Sequence, residues 1–284
     1  MSIVFGETEY AYPLKEANVV IIPVPYEHST SYGQGTALGP AEIIRASAYM
    51  ELYDEEIDSE PWRAGVYVAP EVDTSGAPEQ VMAAIESAVA TYLDMGKFVI
   101  PLGGEHSISY GVYRAFHKRF DNLSVLQFDA HSDLRESYQD SIYSHASVMK
   151  RIWDLNKNIV QVGIRAQDIE ERKLITENGI KTYYAHQVRR NGFSRDIIED
   201  LSENVFITFD VDYFDPSIMP STGTPEPGGF YWQETLDFLK LVFQHRNVVG
   251  CDVVELSPAK GISHPDFLTT RLVYKFIGYW NLWR

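Results

Sequence analysis

Short apolar runs alternate with helical stretches from Asn18 to Trp280, and that alternation constrains the fold more than any other feature of the chain. The first run, Asn18 to Pro25, is β-branched and closed by prolines, so it reads as a strand buried on both faces. Further strands are expected at 98–102, 124–128, 158–164, 180–184, 205–209 and 248–254. Helices are expected between them, at 41–50 behind Pro40, at 78–95, from Ser107 through Phe120, and at 146–155, 168–178, 194–202, 232–243 and 267–280. Strand, turn, helix repeated in this order builds a parallel sheet with helices on its faces. The expectation is one α/β domain over residues 1–284 with a doubly wound, mainly parallel sheet. Met50 to Glu60 is acidic and reads as a solvated surface segment.

Composition narrows the class of function. The formal net charge is −16, from 40 acidic and 24 basic residues, which disfavours nucleic acid and anionic membrane as partners and suits a cationic small-molecule substrate. Cys251 is the only cysteine, so no intrachain disulfide can form. Glu7 and Glu9 follow Met1 closely with no basic-then-apolar leader, and no run approaches the roughly 18 apolar residues of a membrane span. A cytoplasmic protein is expected.

The chemistry is concentrated where the strands end. Ser124 to Phe128 runs into Asp129, His131 and Asp133, three metal-ligand types at alternate positions. In extended backbone such residues share one face, so they are expected to converge as the strand runs out. Asp210 and Asp212 repeat the spacing after Val205 to Phe209, and His106 closes Gly103-Gly-Glu-His. Singly, each has an ordinary structural explanation: an Asp after a strand is a turn or cap residue, and a lone His is a hydrogen-bonded one. Together they would place several carboxylates in one cleft, where like charges repel and lose hydration unless cations join them. Four Asp and two His exceed one tetrahedral zinc site, and carboxylate bridging across two ions uses the surplus. Oxygen-rich ligation with some imidazole points to manganese.

Two further residues fall beside this set. His145, in Ser141-Ile-Tyr-Ser-His-Ala-Ser147, could relay protons near neutral pH, or serve as a surface or capping residue. Glu255 ends Asp252-Val-Val-Glu, where it could hold a cationic substrate group. His28, His117, His186, His245 and His264 lack such a context, and the aromatic tail from Tyr274 to Trp283 reads as core or subunit contact.

Along nearly its whole length the chain resembles the ureohydrolases, the arginase and agmatinase family. The resemblance rests on Gly103-Gly-Glu-His-Ser107, Phe128-Asp-Ala-His-Ser-Asp133, Phe209-Asp-Val-Asp-Tyr-Phe-Asp-Pro216, Gly223-Thr-Pro-Glu-Pro-Gly-Gly229, Asp252-Val-Val-Glu255 and the Gly-Pro segment Gly35 to Arg45. It implies a three-layer α-β-α fold and two manganese ions per subunit. Asp129 and Asp210 would bridge them, His106 and Asp133 completing one site, His131 and Asp212 the other. It further implies His145 as proton shuttle, Glu255 as guanidinium holder, Asp133 as the carboxylate that orients a metal-bridging hydroxide, and a homotrimer or homohexamer. Tyr143-Ser-His-Ala is similar to the agmatinase branch, which implies hydrolysis of agmatine to putrescine and urea. Alternatives are N1-aminopropylagmatine, guanidinobutyrate or arginine as substrate, a fold-related amine deacetylase, and a non-catalytic metal-binding subunit. Glu105 and Ala146 depart from residues common in the family, Asp and Gly respectively.

Overall fold

In a computed structural model, which describes residues 3–284, the apolar runs form eight strands of one sheet. They are β1 (Val19–Val24), β2 (Val66–Val68), β3 (Phe98–Gly103), β4 (Leu123–Phe128), β5 (Ile159–Val162), β6 (Lys181–Tyr183), β7 (Asn204–Asp210) and β8 (Asn247–Val254). Their spatial order is β2-β1-β3-β8-β7-β4-β5-β6, and all the pairings are parallel. β1, β3 and β4 are buried at every position, as unbroken apolar runs should be when both faces are covered.

Two helical layers provide the cover. On one face lie α1 (Gly39–Ser47), α6 (Ala185–Asn191), α7 (Arg195–Glu199), α8 (Trp232–His245) and α9 (His264–Trp283), whose Ile43, Val188, Ile197, Leu239 and Phe276 join one apolar cluster. On the other lie α2 (Pro78–Asp94), α3 (Ile108–Arg119), α4 (Val148–Leu155) and α5 (Ile169–Asn178), contributing Ile85, Phe116, Ile152 and Ile175 to a second. This is the three-layer α-β-α arrangement. Local signals set the helix ends: Asp168 accepts from the backbone N–H groups of Glu170 and Glu171 at the start of α5, and Gly179 closes it with φ +63°.

The sheet order positions the site. The chain builds β1 to β3 on one side, crosses to β4, and returns to insert β7 and β8 between them. The carboxyl ends of β3, β8, β7 and β4 are therefore neighbours at the point where strand order switches, the place where open α/β sheets bind ligands.

Three local expectations need correction. β2 and α6 are additional elements, both short, and the helix expected at 194–202 contracts to α7. The acidic segment 50–60 is not wholly solvated: Asp54 is buried and meets Lys275 Nζ of α9 at 2.7 Å. Glu56 binds the same ammonium at 2.7 Å and accepts from Tyr279 Oη at 2.8 Å. The cation that makes this burial tolerable lies some two hundred residues along the chain, out of reach of a local reading. In the aromatic tail, Tyr274, Phe276 and Tyr279 are core residues.

Candidate metal centre

Five of the six ligand-type residues are buried at the carboxyl edge of the sheet, and His131 is partly exposed. His106 Nδ1 lies 3.1 Å from Asp129 Oδ2, 3.1 Å from Asp133 Oδ2 and 3.4 Å from Asp210 Oδ2. His131 Nδ1 lies 2.8 Å from Asp212 Oδ2 and 3.7 Å from Asp129 Oδ1. Two sets of donor atoms converge closely enough to hold an ion: His106, Asp129 and Asp210 in one, Asp129, His131 and Asp212 in the other. Asp129 belongs to both, one oxygen turned toward each imidazole.

Strand alternation does not produce this convergence as expected. β4 ends at Phe128, before any of its ligand-type residues, and Asp133 has left-handed backbone with φ +54°. After Asp210 the chain turns into a short 3-10 segment, Val211–Tyr213, tightened by the Asp212 N–H donating to Asp210 Oδ1 at 2.8 Å. The His131 N–H donates likewise to Asp129 Oδ1 at 2.6 Å. Carboxylates that bind the amide two residues on fold the chain back locally, and those turns gather the side chains.

The donor set fits divalent cations. His106 Nδ1 is buried and has no hydrogen-bond partner, although three carboxylate oxygens surround it within 3.4 Å. Atoms that converge without pairing are arranged for a shared ion. The imidazole tautomer agrees: Thr208 Oγ1 donates to Ser109 Oγ at 3.2 Å, so at its 2.9 Å contact with His106 Nε2 it accepts. Nε2 thus carries a proton. In the metal-free protein burial is outweighed by Asp129, Asp133 and Asp210, which push the imidazole well above its ordinary pKa, so an ion would take the place of a second proton on Nδ1. Burial, reinforced by the charge of Asp129, pushes the Asp133 carboxyl up to about 7. Burial and the neighbouring carboxylates likewise push Asp210 well above the usual range, and burial does the same to Glu255. For Asp129, burial is outweighed by His106 and His131, which hold it low. For His131, burial is outweighed by Asp212 and Asp129, which push it up to about 12. So many acids competing for so few protons is the conflict that cations resolve.

The surroundings fix these residues. Gln127 Nε2 donates to Asp129 Oδ2 at 2.7 Å, and Gln161 Nε2 in turn donates to Gln127 Oε1 at 2.6 Å. Asp252, buried on β8, has its carboxyl pushed up to about 6 by burial. Glu255 adopts φ +67°, unusual for a non-glycine residue. Its Oε1 accepts from the His106 N–H at 2.6 Å. His145, at the foot of α4, lines the same cleft of about 260 Å³ as His106, His131, Asp133, Asp210, Asp212 and Glu255. Burial lowers the pKa of its imidazole.

All the residues singled out by sequence therefore border one cleft, except Asp129, which lies buried behind it. Sequence reading missed the polar residues behind them, Ser29, Gln127, Gln161 and Thr208. The polar interruptions within apolar strands at Gln127 and Thr208 were the available signal.

A sequence model of the arginase family matches residues 17–278. The chain belongs to the arginase family. It is 38% identical to an N(1)-aminopropylagmatine ureohydrolase from Synechocystis sp. over 98% of this chain and 94% of that protein. The protein of the same name from Thermus thermophilus is 39% identical, with the same coverages. Among solved structures, the agmatine ureohydrolase of Thermoplasma volcanium superposes with a TM-score of 0.88 at 29% identity, covering 99% of this chain and 94% of the other. The eight-stranded α/β fold is thus that of the family. Among the described residues, no helix is long and apolar enough to cross a membrane.

Proposed function

We propose that this arginase-family hydrolase cleaves the guanidino group of agmatine or of N1-aminopropylagmatine, releasing urea and the corresponding amine, on one domain spanning the chain. The observation that carries the reading is the pair of donor sets sharing Asp129 in the cleft that Glu255 borders. His106, Asp133, Asp129 and Asp210 would hold one ion, and His131, Asp212 and the same shared carboxylates the other. Two such ions, manganese by the oxygen-rich donor set, would supply the Lewis acidity that makes water a nucleophile near neutral pH.

The remaining work falls to the protein. Glu255 offers its free Oε2 to the guanidinium, and its Oε1 is anchored on the His106 amide. The water oxygen adds to the guanidinium carbon, the bond from that carbon to the chain nitrogen breaks, and that nitrogen leaves as the amine. Asp133, which borders the cleft beside His106, takes the proton from the water and passes it to the departing nitrogen. His145 Nε2 exchanges protons between the cleft and solvent.

The longer substrate has specific support. Both named relatives that span 98% of the chain carry N(1)-aminopropylagmatine in their names. Glu226 lines the cleft and also, with Ala166 and Gln167, an adjoining groove. Its main-chain oxygen is held by Arg165 Nη2 at 2.9 Å, while its carboxylate makes no hydrogen bond or ion pair among the described residues. It is placed to receive the extra ammonium of a polyamine tail. A fold-related deacetylase with one metal would leave the second donor set idle, and a non-catalytic subunit would need none of it. A homotrimer or homohexamer completes the proposal, and light scattering would test it.

Urea release by manganese-loaded protein from agmatine, N1-aminopropylagmatine, guanidinobutyrate and arginine tests the reading. The agmatine pair should turn over, with the longer amine at lower KM. Turnover of arginine alone would overturn it.

A further inference from the structure

The hydroxyl of Ser29 touches the imidazole assigned to proton relay. Ser29 Oγ donates its one proton to Glu105 Oε1 at 2.8 Å. It lies 3.0 Å from the His145 backbone N–H, which can only donate, and 3.0 Å from His145 Nδ1. With its proton committed, the hydroxyl oxygen can meet Nδ1 only as an acceptor, so Nδ1 must carry hydrogen. In the neutral ring, Nε2 is then left with a free lone pair.

Glu105 commits that proton. It is fully buried, and its Oε2 accepts from the backbone N–H groups of His28 and Ser29, both at 2.6 Å. Its Oε1 accepts from Ser107 Oγ at 2.5 Å as well as from Ser29. The loop after β1 is thereby tied to the turn after β3, and the Glu105 N–H adds a further link by donating to Tyr26 O of that loop at 2.8 Å. Gly104 permits the approach, since a Cβ there would lie 2.1 Å from Tyr26 O. On another side of the imidazole, the Tyr138 ring packs edge-on with centroids 5.5 Å apart.

We propose that Ser29, held by Glu105, is a positioning residue that fixes His145 as the Nδ1–H tautomer and thereby keeps Nε2 as the proton acceptor in the cleft. The inference rests on His145 as the proton relay. It also gives Glu105, one of the two departures from the residues common in the family, a task that its length serves: its two oxygens reach four donors on two loops.

The test combines two readouts on the full chain. Side-chain 15N spectra of histidine-labelled protein at pH 7.5, with diamagnetic zinc in place of manganese, report the tautomer of His145. Wild type should show protonated Nδ1 and bare Nε2, and Ser29→Ala should show a mixture. With manganese and agmatine, Ser29→Ala should lose about tenfold in kcat, the size of one hydrogen bond, with KM and metal content within twofold. Bare Nδ1 in wild type, an unmixed Nδ1–H tautomer in Ser29→Ala, or unchanged kcat in that variant would overturn the inference. The wild-type spectrum decides the tautomer even if the variant folds poorly. Unchanged kcat in His145→Asn would instead refute the relay reading and leave the tautomer assignment standing.

Discussion

Thr208→Val removes one oxygen and keeps the shape of a buried side chain on β7. That oxygen accepts from His106 Nε2 at 2.9 Å and donates to Ser109 at 3.2 Å. Without it, the imidazole loses the partner that keeps its proton on Nε2 and leaves Nδ1 free toward Asp129, Asp133 and Asp210. Loss of such a partner behind a histidine ligand weakens metal binding about 10- to 100-fold, or about 1.4–2.8 kcal/mol. The valine methyl fills the site, but two hydrogen bonds disappear and the buried His106 Nε2–H is left unpaired, so the metal-free fold should also lose about 1–3 kcal/mol. Calorimetric titration of metal-free protein with manganese measures the first quantity, and urea denaturation in chelator the second. The reasoning would be refuted by manganese affinity within twofold of wild type, or by stability in chelator unchanged from wild type.

Glu255→Gln keeps an oxygen for the His106 N–H and removes the charge proposed to hold the guanidinium. With hydrogen bonds to charged groups contributing about 1.5–3 kcal/mol each, kcat/KM for agmatine should fall by about two orders of magnitude at unchanged metal content. Lys275→Met leaves Asp54 buried without its cation and should destabilise the fold by about 3–5 kcal/mol. Adding Asp54→Asn should recover much of that loss in urea denaturation. In chelator, the Asp133 carboxyl binds its proton more tightly folded, at about 7, than at its ordinary 3.8. Its stabilising contribution is therefore complete below its ordinary value and is lost as pH rises through 7. Melting temperatures of metal-free wild type should fall relative to Asp133→Asn between pH 4 and 7, and parallel curves would contradict the assignment.

Periodicity was enough to locate the long elements, because β3, β4 and β7 are apolar runs and α2, α8 and α9 carry apolar stripes wide enough to read locally. It failed for β2, whose three residues are too few to show a pattern, and for α6, which follows β6 after a single residue. The candidate ligands were legible for a different reason: buried carboxylates are expensive, so Asp129, Asp210 and Asp212 beside apolar runs need an explanation. How they converge was not legible, since it depends on tight turns and the left-handed conformation of Asp133 and not on strand alternation. Ser29 lay in a loop rich in Gly, Ser and Thr, and nothing local distinguished its hydroxyl from its neighbours. Its role follows only from packing that brings residue 105 against residue 29. Lys275 was equally silent, because its acidic partners come from the other end of the chain.

The central claim is that two ions, held by two donor sets that share Asp129, carry guanidino hydrolysis. Urea release from agmatine, followed while metal-free protein is titrated with manganese and bound metal is counted, tests it most directly. Activity should rise to a plateau at two bound ions per chain, and Asp129→Ala should bind neither tightly and release no urea. A plateau at one ion per chain, or urea release that survives in Asp129→Ala, would contradict the account.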